Sequence, residues 1–313
     1  MQPSTQLSTQ QRIAIFLFSL FAAVVLSSIA LHADDASEYT IRASVNEVRL
    51  AFAASDRQGH VVKNLRPADV AVADNGSIIR HFRSFRSASE SPLELMILLD
   101  ASDSVASQIP EQIAEVKSFV ANSALGSRDR VSILAFGGLR PMLVCARNCN
   151  AAIARAKLDS LRASGATPLY DALVEAAEIL ERDRDSELRP AMILFSDGAD
   201  TISMHGVADA LRAAQNLQAA IYSVNSRCSK SAPERGDVVL DYLAGSTGGL
   251  SFAPGQNVKE VLRAVLEDLH GGYVLTYELP EHMTGQHSVR ILPTADPRLQ
   301  FRARRAYDDF RDE

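Results

Sequence analysis

From Leu93 onward the chain alternates short, wholly apolar segments with longer amphipathic ones, and this rhythm restricts the fold more than any other feature. "LELMILL" comes first. Ile109, Ile113, Val116 and Val120 then fall at helical spacing around Pro110, and "RVSILAF" follows as a strand. Leu169, Ala172, Leu173, Ala176 and Leu180 line one helix face; "AMILF" is the next strand; Val207, Ala210, Leu211 and Ala214 mark another helix. "AIYSV", a short helix near Val239 to Ala244, and a helix carrying Val258, Val261, Leu262, Val265, Leu266 and Leu269 close the series. Strands apolar on both faces, separated by helices, predict an α/β fold: a doubly wound, mainly parallel sheet covered on both sides. Such sheets put ligand sites at the carboxyl ends of their strands.

The flanks read differently. Between Tyr39 and Phe85, Val48, Leu50, Phe52 and Ala54 alternate with other residues, and Asn75-Gly76 sits between apolar runs in "VAVADNGSIIRHF". Both turn residues tolerate positive φ, so this is a strong hairpin signal. After the α/β region "YVLTYEL", "SVRIL" and the alternation at Leu299, Phe301 and Ala303 return to strand behaviour. The expected organisation is a β-rich module whose first part spans 39–90 and whose second part spans 271–308, with the α/β domain, 91–270, inserted between them.

Residues 1–33 form a separate segment. Ile13 to Leu31 is an unbroken apolar or small-residue run, preceded by Arg12 and followed by "HADDASE". This is an export signal, cleaved or kept as an N-terminal membrane anchor, and it places the protein outside the cytoplasm: periplasmic, secreted or associated with the envelope. Three cysteines suit that compartment without making a disulfide framework. Cys145 and Cys149 are close enough in sequence to close a small loop, although two cysteines four apart in regular helix point their sulfurs poorly for bonding. Cys228 has no obvious mate. A net charge of −6 with signs mixed throughout recommends neither nucleic acid nor an anionic bilayer as a partner, and the only membrane contact expected is through the N-terminal anchor.

Three polar groups fall at predicted strand ends: "LLDASDS" after the first strand, "GATPLYDAL" opening a helix at Thr167, and "LFSDGADT" at Asp197. Asp100, Ser102, Ser104, Thr167 and Asp197 together supply hard oxygen donors. Such a set suits a divalent cation, Mg²⁺ first, with Mn²⁺ or Ca²⁺ as alternatives. In an extended chain residues i, i+2 and i+4 share a face, so Asp100, Ser102 and Ser104 are expected to look at one point. Each motif also has an ordinary reading. Thr167 before Pro168 is a good helix cap, Asp197-Gly198 a turn, and either serine a cap for the following helix.

"DASDS", Thr167 and "SDG" match, in order and approximate separation, the metal-ion-dependent adhesion site of von Willebrand factor type A domains. The resemblance covers roughly Leu93 to Leu269, and the flanking β segments resemble those of exported bacterial proteins with such domains. It implies that Ser102 and Ser104 bind the ion through their hydroxyls, and that Asp100 and Asp197 bind it or hold its waters. Thr167 would engage it directly or through water. It also implies a protein ligand whose acidic side chain completes the coordination, hence cation-dependent adhesion or protein–protein interaction. The chain departs from the usual pattern at Asp103, Val105 and Ser196, where many members carry glycine, methionine and threonine; the charge of Asp103 weakens the attraction for an acidic ligand.

The same strand-end aspartates suit an alternative class, Mg²⁺-dependent phosphoryl transfer. Against it, the residue two after Asp100 is serine, no lysine stands near these motifs, and glycine-rich phosphate loops and "GxSxG" are absent. The protein is therefore expected not to be an enzyme. A metal-free scaffold of an envelope complex is the third reading.

Overall fold

The computed structural model describes residues 47–121, 125–147, 149–182, 184–227, 234–279 and 285–309; the apolar run from Ile13 and Cys228 lie outside them. The described elements, in order, are β1 (Glu47–Ser55), β2 (Val70–Asp74), β3 (Ser77–Ile79), β4 (Ser84–Ser87), β5 (Leu93–Asp100), α1 (Ile109–Ala121), β6 (Arg130–Phe136), β7 (Met142–Cys145), α2 (Ala151–Leu158), α3 (Leu169–Arg182), β8 (Arg189–Ser196), α4 (Val207–Leu217), β9 (Ala220–Asn225), α5 (Arg235–Thr247), β10 (Ser251–Phe252), α6 (Val258–Gly271), β11 (Tyr273–Glu278), β12 (Gly285–Pro293), β13 (Gln300–Ala303) and β14 (Ala306–Asp309).

A six-stranded sheet in the order β10-β9-β8-β5-β6-β7 forms the centre. All its pairings are parallel except the edge pair of β6 with β7. β5 is buried along its whole length, which is why its sequence shows no polar alternation. Leu93, Leu95, Ile97 and Leu99 face a core completed by α1, α2 and α6. Met96 and Leu98 face the other, built with α3, α4 and α5. The helix foreseen near Val239 runs longer, through Arg235–Thr247, because its polar first turn is tied down by Asp237, whose carboxylate accepts from the Glu234 N–H.

Residues before and after this region pair with each other in two four-stranded sheets, β13-β1-β11-β4 and β14-β12-β2-β3. They share a core that includes Leu50, Val72, Leu275, Tyr277 and Val289. Asn75 and Gly76, with φ of 45° and 86°, make the two-residue turn between β2 and β3, the conformation that hairpin twist demands. The tail strand foreseen around Leu299, Phe301 and Ala303 is β13, and Arg304 just past it bridges Thr247.

Two buried arginines join the sheets to the helices. Arg189 donates to the Leu269 carbonyl at 2.5 Å, and Arg304 donates to the Gln215 carbonyl at 3.1 Å and the Arg49 carbonyl at 3.0 Å. Leu269 and Gln215 lie in the last turns of α6 and α4, where the helix dipole favours a cation. Burial lowers the Arg304 guanidinium to about 10, so it remains charged at neutral pH. Cys145 and Cys149 form a disulfide. Cys145 ends β7 and Cys149 precedes the cap of α2, so the geometry that disfavours bonding within a helix does not arise.

Candidate metal centre

β5 ends at Asp100 and β8 at Ser196, and these strands are hydrogen-bonded neighbours, so both loops leave the same edge of the sheet. Asp100 is completely buried. One carboxylate oxygen accepts from the Ser102 N–H at 2.9 Å, and the other from the Ser196 hydroxyl at 2.7 Å. The Ser102 and Ser104 hydroxyls are 3.1 Å apart. The shared face of an extended strand is not what brings them together. Ser102 is extended, but Asp103–Val105 form a short 3-10 turn. The turn arises because Asp100 has captured the Ser102 N–H, which ends the strand and starts a tight loop. Asp103 is exposed on that turn.

The loop before α3 is held against the other loops by backbone bonds. The Asp103 N–H donates to the Gly165 carbonyl at 3.2 Å, Ser164 N–H to the Ala101 carbonyl at 2.8 Å and Gly138 N–H to the Ala166 carbonyl at 2.8 Å. Thr167 is buried, with its N–H on the Thr201 hydroxyl at 2.8 Å and its carbonyl accepting from Thr201 N–H at 3.0 Å. Thr167 is therefore anchored to the loop after β8 through its own backbone N–H and carbonyl.

The ordinary reading of Thr167 as a helix cap does not hold. Asp200 accepts from the Leu169 and Tyr170 N–H groups at 2.9 and 3.3 Å, and the Ser203 hydroxyl accepts from Tyr170 and Asp171 at 3.1 Å each. Capping α3 thus falls to residues of the loop after β8, and the Thr167 hydroxyl is not used for it. Nothing in the local sequence around Thr167 signals this, since Asp200 and Ser203 come from a later strand end.

Asp197 accepts from the Ala199 N–H at 2.9 Å. Gly198, at φ 78°, lies so close to Gly236 that an added Cβ would stand 2.2 Å from the Gly236 carbonyl oxygen. Both glycines are therefore required for the Asp197 loop to sit where it does. The Asp100 carboxyl is pushed up to about 6, chiefly by burial, with the Asp197 charge adding to the rise and the serine hydrogen bonds opposing it.

Among the described residues no three His, Cys, Asp or Glu side chains gather as a metal cluster, so an ion here must rest on hydroxyls and few carboxylates. The donor chemistry fits: a buried carboxylate, a second one close enough to raise it, and serine hydroxyls beside them form an oxygen-rich site, with Arg235 lining the same cleft as Asp197 and Asp200.

Residues 95–199 match the family model of the von Willebrand factor type A domain. Inter-alpha-trypsin inhibitor heavy chain H4 of Sus scrofa is 29% identical over 136 residues, covering 41% of this chain and 14% of that protein. Its Bos taurus counterpart is 26% identical over 188 residues, covering 57% and 20% respectively; the chain thus spans only a small part of these relatives. Among solved structures, a von Willebrand factor type A protein from Catenulispora acidiphila superposes with a TM-score of 0.45 at 13% identity, over 87% of this chain and 76% of that one.

Proposed function

From the premise that this chain carries a von Willebrand factor type A domain, a module of protein–protein interaction and adhesion, we propose that it is an exported protein that binds a protein ligand through a divalent cation. Ser102, Ser104 and Thr167 would supply hydroxyl donors, and Asp100 and Asp197 would neutralise charge directly or through water. When bound, the cation supplies a Lewis-acidic position for an acidic side chain of the partner. Mg²⁺ suits the donors, with Mn²⁺ or Ca²⁺ as alternatives. Export is supported by the apolar run from Ile13 to Leu31 with Arg12 before it.

The observation that carries the reading is Asp100. A carboxylate sealed at a strand end, with the Asp197 charge adding to the effect of burial, is costly to ionise, and a cation bound beside it would offset that cost. A cation that prefers the native state must raise the melting temperature. At about a hundred times Kd the gain is about 2.7 kcal/mol, worth roughly 5–10 °C for a domain of this size. Thermal melts with Mg²⁺ or Mn²⁺ against EDTA are the test. The rise is expected in the wild type and lost in Asp100→Ala and Ser102→Ala; equal melting with and without cation would defeat the reading.

A further inference from the structure

Among the described residues, four of the large exposed apolar side chains gather in one groove. Leu139 is 81% exposed and Met204 is 92% exposed, with Leu143 and Ile202 also open. These four, together with the half-buried Val174 and Ile179, line one groove of about 820 Å³. Clustering of this kind marks a binding surface, and methionine adapts well to a partner.

The groove adjoins the metal loops. Leu139 follows Gly138, which is bonded to Ala166, while Met204 and His205 donate their N–H groups to Asp171 in the first turn of α3. Its two apolar rims therefore stand on either side of the segment that starts at Thr167. From there the groove runs along one face of α3, where Val174, Glu175, Glu178 and Arg182 recur at helical spacing.

Charge along the groove is ordered. Arg140 stands with the loop at the metal end, and Asp171 there is paired with His205 at 2.8 Å. Further along α3, Glu175 and Glu178 are three residues apart, with Arg182 one turn beyond them, so the two carboxylates outnumber the single cation there; burial and the Glu178 charge raise the Glu175 carboxyl. A complementary ligand would be acidic at one end, apolar in the middle and basic beyond.

We propose that this groove docks a protein segment that presents a carboxylate to the metal centre, bulky apolar side chains to Leu139, Leu143, Ile202 and Met204, and a lysine or arginine to Glu175 and Glu178. The carboxylate part rests on the cation reading above; the apolar and basic parts rest on the groove alone. From Asp171 to Glu178 α3 rises about 10 Å, a span that a short extended segment of about four residues covers.

The test is selection of a displayed random peptide library on the full chain in Mg²⁺, followed by affinity measurements on the enriched peptides. Enriched sequences are expected to place an acidic residue, then apolar residues, then Lys or Arg. Binding should fall at least tenfold in the Leu139→Ser, Met204→Ser double variant and several-fold in Glu175→Ala, Glu178→Ala. Unchanged cation-dependent melting of the variants checks that they fold. Peptides that bind the double variant as tightly as the wild type, or a library that yields no such pattern, overturn the groove while leaving the cation reading standing. Loss in the double variant combined with indifference to EDTA retains the groove and removes the carboxylate part.

Discussion

Asp100 combines complete burial, a neighbouring carboxylate and two hydrogen-bond donors, and its behaviour follows from that balance. Because its folded-state pKa of about 6 lies above the ordinary 3.8, the native chain holds this proton more tightly than the unfolded chain. Without cation, stability from this group is therefore present at low pH and is lost as pH rises through about 6. Protons and cation compete for the same oxygens, so the cation-induced rise in melting temperature should fade as pH falls through about 6. Melts at a series of pH values check both signs. Asp100→Asn keeps the shape, removes the buried charge and should melt at or above the wild type in EDTA while showing no response to Mg²⁺. A clearly less stable variant that still responds would contradict the role given to the charge. The residue pattern "DASDS" was readable because oxygen-bearing residues interrupt an apolar run. The turn that aims Ser104 was not, since it depends on Asp100 capturing a particular N–H.

Helices and strands were legible where one face or both are apolar. β5 and β8 declare themselves as buried strands, and α3, α4 and α6 through the spacing of Leu169, Leu173, Ala210, Leu211, Val261 and Leu262. Element ends were less legible, because distant groups set them: Asp200 and Ser203 cap α3, and Gly248 ends α5. At φ 85°, Gly248 terminates that helix in the left-handed conformation, and an added Cβ would stand 2.7 Å from the Ala303 carbonyl carbon of β13. Its carbonyl also accepts from Arg302. Gly248→Ala pays for both the strained backbone and the collision, so a loss of at least about 2 kcal/mol is expected by chemical denaturation. A change near zero would mean that the contact between α5 and β13 is loose.

Among the described residues, the segments before and after the central sheet interleave. β1 lies between β11 and β13, and β2 pairs with β12. At the heart of these sheets Asp74 accepts from the Tyr277 and Tyr307 hydroxyls at 2.6 Å each, with the His287 Nδ1 at 2.6 Å. The Asp74 network unites three strands, β2, β11 and β12, with β14, and its tyrosine, histidine and aspartate members had shown no sequence signal because they are scattered across both flanks. A chain ending at Gly271 leaves β1, β2 and β4 without β11, β12 and β13 and deprives Asp74 of every one of these partners. It should lack the single cooperative melt of the full chain and bind a hydrophobic dye; a cooperative melt at the same temperature would show that the flanking strands fold independently of the return segment. Anomalous scattering from crystals soaked in Mn²⁺ reads the whole molecule at once for the ion on which the functional account depends. One dominant peak at roughly 2.2 Å from the Ser102 and Ser104 hydroxyls, beside Asp100, Thr167 and Asp197, is the expected result, and a map with no peak there, or with its strongest peak elsewhere in the fold, contradicts it.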